Sequence, residues 1–434
     1  MLTRTKVLSL ALPIIGAQAA TATTGVVDTL VMGRYGDKTD LAAVAIGAIA
    51  YGFIYWGFGF LRMSTTGLTA QAKGRGEAAE VRAVLVRSLV LCLALGIAIV
   101  ALSPLLRMGS FAIFAGTEQV EQLAGGYFNA RVWGAPGQLM TLAITGWMLG
   151  TGRTGQLFAL QVLLNGVNVA LDWYFVAQLG WGPVGIGWGT AIAEWTACLV
   201  GLALVARHMR APARLWDRAR LTALFSANRD IMIRTFALMA AFAWFVRSGT
   251  LISTAITAGN EVLMQFITVA AFVLDGFAFV AEKEAGEAYG ARDPKRLKRA
   301  MRLTSEFAFG MSIIISLIYF FAGPLVLSGF ISDEEARHAA LAYLPYCALV
   351  PFIAAPAFQL DGMFMGTTQG KALRNAGVGI LLLYIPLDMW LRPWLGNTGV
   401  WLAFLVWYVL RAIGLGLYVP RVFRDLSRQP QPAS

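Results

Sequence analysis

Twelve apolar stretches, each long enough to cross a bilayer, divide this chain, and the basic residues between them gather on alternate sides. The stretches run approximately over 6–33, 41–72, 81–107, 119–149, 155–179, 184–207, 226–258, 261–290, 297–326, 336–366, 374–391 and 397–423. A helix needs about 20 apolar residues to span a hydrocarbon core of about 30 Å, so helices fill nearly all of the chain and leave no room for a separate soluble domain. With 58% of residues hydrophobic and only 14% charged, the bilayer has to act as the solvent. The expected fold class is an all-α polytopic membrane protein with twelve transmembrane helices.

A net charge of +11 would suggest a nucleic-acid partner in a soluble protein, so the placement of the cations decides. Of the 35 Lys and Arg, 25 lie at one set of helix ends: Arg4 and Lys6, Lys73 to Arg87, Arg153, Arg207 to Arg234, Arg292 to Arg302, Lys371 with Arg374, and Arg421 to Arg428. The opposite loops hold five, namely Arg34, Lys38, Arg107, Arg337 and Arg392. The positive-inside rule assigns the basic ends, and both termini with them, to the cytoplasmic side of a bacterial inner membrane. Orientation then explains the charge without nucleic acid. The first stretch begins like a secretory signal, up to Ala17-Gln18-Ala19, but its apolar pattern continues through Val26-Val27 and Leu30-Val31-Met32, as in an uncleaved first helix. Cys92, Cys198 and Cys347 form no CxxC pair, and His208 and His338 sit in different loops. Neither a metal knuckle nor a catalytic triad is expected, so the chain reads as a non-enzyme without a cofactor.

Comparison of the two halves exposes a duplication. Gln71-Ala72-Lys73-Gly74 answers Glu287-Ala288-Tyr289-Gly290, Gly146-Trp147-Met148-Leu149-Gly150-Thr151 answers Gly362-Met363-Phe364-Met365-Gly366-Thr367, and Leu171-Asp172 answers Leu387-Asp388, all at an offset of 216 residues. Six spans per half return the chain to the same side, so the copies run parallel, related by a pseudo-twofold axis along the membrane normal. Duplicated bundles of this kind alternate access to a central substrate site. A duplicated channel would show filter or ring sequences, and none is evident. The expected organisation is an N-terminal six-helix lobe over 1–207, a cytoplasmic linker over 208–225 around Ala211-Pro212-Ala213, a C-terminal six-helix lobe over 226–426 and a disordered tail over 427–434.

An ionised side chain in hydrocarbon costs at least a few kcal/mol, so each embedded acid needs water, a partner or a proton. Asp28 lies about five residues from the outer end of the first helix, Asp172 about seven from the end of the fifth and Thr190 about six from the end of the sixth. Three helices of one half thus bring polar groups to a common depth, and Asn168, at i−4 from Asp172, shares its face. Two carboxylates, an amide and a hydroxyl suit a proton network or a small hard cation such as Na⁺ held by oxygen. Their occupancy would respond to pH. The competing reading is that Asp28 and Asp172 cap broken helices. In the second half Asp275, Glu282 and Asp361 are embedded acids, with Arg247 as a basic partner. Glu282, Lys283 and Glu284 approach the cytoplasmic boundary, where Lys283 pairs with Glu287 and water solvates the group. Arg62, Arg131 and Glu194 are expected to brace the bundle as salt bridges. Pro13 should loosen the first helix, and aromatic residues such as Tyr51, Tyr55 and Trp244 pack the core or cradle organic cations.

The chain resembles the multidrug and toxic compound extrusion (MATE) family, in its DinF-like branch. The resemblance rests on Val27-Asp28-Thr29 with Gly33, Gly67-Leu68-Thr69-Ala70-Gln71-Ala72, Asn168 to Asp172, Asp275-Gly276-Phe277-Ala278-Phe279, Gly286 to Asp293, Asp361-Gly362-Met363 with Gly366-Thr367, and Leu395-Gly396-Asn397. It covers essentially the whole chain. It implies a monomeric two-lobed exporter that expels amphipathic, often cationic, organic compounds against inward H⁺ or Na⁺. By motif, Asp28, Asn168, Asp172 and Thr190 match the ion-coupling site of DinF-like members. Glu282-Lys283-Glu284 departs from the family's more apolar pattern, so the resemblance does not carry a role over to the second lobe. The alternative reading within transport is a flippase for a lipid-linked precursor, which would need a strongly basic central cavity.

Overall fold

The computed structural model describes residues 2–113, 117–209, 215–331 and 333–428, and among them every regular element is helical. The N-terminal half contains α1 (Arg4–Tyr35), α2 (Lys38–Gly57), α3 (Phe60–Gly74), α4 (Ala78–Ala101), α5 (Ser103–Ile113), α6 (Glu118–Arg131), α7 (Ala135–Thr151), α8 (Thr154–Trp173) and α9 (Gly182–Val205). The C-terminal half contains α10 (Arg218–Thr250), α11 (Thr254–Gly290), α12 (Pro294–Phe330), α13 (Glu334–Gly366), α14 (Gly370–Leu395), α15 (Asn397–Gly416) and α16 (Val419–Arg428). Ten helical runs among the described residues are long and apolar enough to cross a membrane. The 32-residue α1, and α6 with α7 joined through a 3₁₀ turn at Val132–Gly134, complete the expected twelve.

Local chemistry moves several boundaries away from where apolar continuity puts them. The second stretch is two helices, because the Phe58 amide turns back to Tyr55 O at 2.9 Å and tightens the end of α2. The break expected between 258 and 261 falls near Ser253, whose Oγ accepts from the Ile256 amide at 3.1 Å and caps α11. The segment expected as linker is helical from Arg218. Asp217 caps it by accepting the Arg220 amide at 3.0 Å, a bond that holds the Asp217 carboxyl below its ordinary range. Ala211-Pro212-Ala213 lies outside the described residues, as do residues 429–434 of the expected tail, whose first residue, Ser427, belongs to α16.

The chain forms two compact units. One comprises Gly16–Lys73 and Glu77–Ala223; the other takes the described residues up to Ile15, Gly74–Gly76 and those from Leu224 onward. Each contains the same glycine seam. In the first unit a Cβ on Gly146 would stand 2.6 Å from Arg62 O, and one on Gly150 2.7 Å from Thr66 O. In the second a Cβ on Gly362 would collide with Ala278 O, and one on Gly366 with Glu282 O. Arg62 and Ala278 are 216 residues apart, as are Thr66 and Glu282, so the duplication seen in sequence reappears as matched backbone contacts between helices. Small residues are what permit such approach in a bundle.

Candidate functional site

Four polar side chains meet inside the first unit. Asp28, Asn168, Asp172 and Thr190 are all buried, with exposures of 6%, 0%, 0% and 4%. Asn168 Nδ2 donates to Asp172 Oδ2 at 2.8 Å and to Thr190 Oγ1 at 3.1 Å, while the Thr190 hydroxyl donates to Ile186 O at 2.9 Å. The Asp28 and Asp172 carboxyls lie close enough to interact with each other. One oxygen on each of Asp28, Asp172 and Asn168 has no hydrogen-bond partner among the described residues. The i,i+4 step between Asn168 and Asp172 sets the amide beside the acid on α8, and a π-turn at Tyr174–Gln178 follows directly. Helix capping does not account for this arrangement, because both acids lie inside continuous helices. The oxygen-only donor set fits a proton shared between carboxyls or a small hard cation.

One cation stands beside these four side chains. Arg131, at the end of α6, bonds the Tyr127 hydroxyl, lies 4.5 Å from the Tyr51 ring centroid and pairs with Glu194 at 3.9 Å. Its charge also reaches Asp28 and Asp172. Three buried acids therefore share one arginine. Arg131 and Glu194 do brace the bundle, but they do so beside the Asp28–Asp172 polar cluster, a connection that the linear sequence does not show.

The second half gathers its charges differently. Asp361 is buried between two arginines: Arg234 bonds its Oδ2, and Arg411 reaches the same atom at 2.5 Å. Arg247 pairs with none of the three expected acids; it is exposed and lies over the Trp244 ring at 5.6 Å. It stands 13 residues from Arg234, about 20 Å along α10, too far from Asp361 to pair with it. Asp275 is half-buried and Glu282 fully buried. The expected pair between Lys283 and Glu287 forms at 3.0 Å, and Lys283 also reaches Glu284 at 2.5 Å. Solvation does not follow: Lys283, Glu284 and Glu287 are 4%, 2% and 6% exposed. The seam at Gly366 brings α13 onto α11 there, and Arg296 covers Glu287 from α12.

One second-half acid went unrecognised as a site residue. Asp388 is fully buried and accepts from Ser248 Oγ at 2.7 Å and Trp244 Nε1 at 2.9 Å, with Arg392 Nε at 3.8 Å. The 216-residue offset was the available signal, since it carries Asp172 to Asp388 and Asp28 to Trp244. It also carries Asn168 to Tyr384 and Thr190 to Val406.

Comparison with known proteins agrees with the duplicated helical architecture. The family model MatE matches residues 13–174 and again 231–390, one match per half. The chain belongs to the MatE family. Among MATE relatives, DNA damage-inducible protein F of Escherichia coli strain K12 is 33% identical over 424 residues, covering 96% of this chain and 92% of that protein. A probable multidrug resistance protein NorM of Rhizobium meliloti is 26% identical over 449 residues, covering 98% and 94%. A solved structure described as the outward-facing conformation of a multidrug resistance MATE family transporter superposes with a TM-score of 0.90 at 19% identity, covering 98% of this chain and 97% of the other. The twelve-helix MATE fold and a multi-pass place in the membrane follow.

Proposed function

We propose that this MATE transporter exports small amphipathic organic cations from the bacterial cytoplasm in exchange for protons that enter at Asp28 and Asp172. The observation that carries the reading is the contact between two buried carboxyls. Such a pair holds a shared proton at far less cost than two adjacent negative charges. In the outward-open state the pair takes up protons, its charge falls, and the released grip on Asn168 and Arg131 lets the first half rearrange and discharge cargo outside. Deprotonation toward the cytoplasm restores the charged state. Each ligand shifts this balance only by its differential affinity for the two states.

Na⁺ is the competing occupant. It would recruit the partnerless oxygens of Asp28, Asn168 and Asp172, but Arg131 already supplies a positive charge nearby, which favours the proton. The flippase reading would require excess positive charge, whereas Asp361 offsets Arg234 and Arg411 in part and Arg131 faces three acids. Liposomes given a pH gradient or a Na⁺ gradient separately, with a fluorescent cation as cargo, test the proposal. Counter-flow under the pH gradient and its loss in Asp28→Asn are expected. Counter-flow driven only by Na⁺ would reassign the ion, and none under either gradient would return the flippase.

A further inference from the structure

We propose that a groove at the basic end of the C-terminal unit, walled by α12, α13 and α16, binds an anionic glycerophospholipid drawn from the bilayer. The groove has a volume of about 640 Å³. α12 contributes Lys298, Arg302, Ser305 and Phe309, at steps of four, three and four, which is one stripe of a helix. α13 adds Pro356, Gln359 and Met363, and α16 adds Val419 and Phe423, again at helical spacing. The α12 stripe passes from two cations through a hydroxyl to an aromatic ring over 11 residues, about 16 Å, close to one leaflet of hydrocarbon. A phospholipid has the same order of groups over the same length.

Charge selects the headgroup. Arg4, Lys295 and Arg299 join Lys298 and Arg302 around an adjoining hollow, with Glu306 as its carboxylate. Glu306 is already taken by Arg4 and Arg302, each at 3.0 Å, and Lys298 has no carboxylate partner among the described residues. Basic clusters at the cytoplasmic face bind anionic headgroups in this way. An independent feature calls for a ligand deeper in. Gln359 is 2% exposed, lines the groove, and has no hydrogen-bond partner among the described residues on either Nε2 or Oε1. A buried carboxamide left unmatched is costly, and the glycerol and ester oxygens of a lipid supply acceptors at that level. The third wall suits the same ligand. α16 buries Val422 and Leu426 and exposes Arg421 and Arg424, the pattern of a helix lying in the membrane interface. A free phosphate would use the cations but neither the apolar wall nor Gln359.

The test is lipid retention by the full chain, purified in detergent, offered equal phosphatidylglycerol and phosphatidylcholine and weighed by native mass spectrometry. Phosphatidylglycerol should be retained by roughly tenfold over phosphatidylcholine, the scale set by a few basic residues near an anionic surface. Lys298→Gln with Arg302→Gln, both at exposed positions, should bring the ratio to parity, and Lys298→Gln alone should lower it part-way. A phosphatidylglycerol carrying a photoreactive group on its acyl chain should label peptides containing Phe309 or Phe423. Parity in the unaltered protein, an unchanged ratio in the double variant, labelling only elsewhere, or displacement by soluble glycerol phosphate would each overturn the proposal. Transport need not be intact for any of these readings.

Discussion

Asp172 and Asp388 occupy equivalent places in the two halves, 216 residues apart, both fully buried, yet their surroundings are opposite in kind. Asp172 faces a second acid, Asp28, and receives one amide from Asn168. Asp388 faces Trp244 at the place equivalent to Asp28 and receives an indole, a hydroxyl and the nearby Arg392 guanidinium. Donors and a counter-charge satisfy a buried carboxylate, whereas a second carboxyl beside it supplies neither. Gene duplication thus produced two copies of a helix bundle and left the acid pair in only one of them. The second copy converts the same position into a fixed polar anchor.

The sharpest break would come from neutralising each acid in turn. Asp172→Asn should reduce gradient-driven transport in liposomes to the level of empty vesicles, while Asp388→Asn leaves transport in place and lowers thermal stability in detergent. Equal transport losses would dissolve the distinction. A milder intervention rebuilds the first half's pair in the second. Trp244→Asp removes a donor and sets a like charge against Asp388, a loss of about 3 kcal/mol or more. Acidification neutralises the new pair, so the loss should shrink as pH falls from 8 to 5; a pH-independent deficit would mean that the cost comes from the missing indole volume alone. Smallest is Ser248→Ala, which deletes one hydrogen bond to a charged group and should cost about 1.5–3 kcal/mol with no change in transport. A transport defect there would place Asp388 in the coupling reaction.

The architecture was open to sequence reading because it rests on one-dimensional signals. Apolar run length reports spans, and the placement of Lys and Arg, such as the series from Arg292 to Arg302, reports sidedness. A constant offset reports duplication. The meeting of the polar side chains was legible for a related reason: Asp28, Asp172 and Thr190 lie at similar distances from their helix ends, and Asn168 is one turn from Asp172. Helix rotation is not encoded so directly. Arg131, Arg234 and Arg411 became partners of particular acids only when the helices turned their faces together. For that reason Arg247, nearer in sequence to Asp275, was an incorrect choice of partner. Glu284 and Glu287 were expected at a wet boundary because hydropathy cannot register Arg296 and the Gly366 contact closing over them.

The paired glycine seams carry a mechanical consequence. Where Gly146 meets Arg62 O and Gly362 meets Ala278 O, main chain rests on main chain with no side-chain cushion to compress or swing aside. These crossings act as welded joints, since interiors packed this closely transmit force with little yielding. Under the proposed proton coupling, work done by a carboxyl inside one bundle would be spent on turning rigid trusses, with little lost to softening their fastenings.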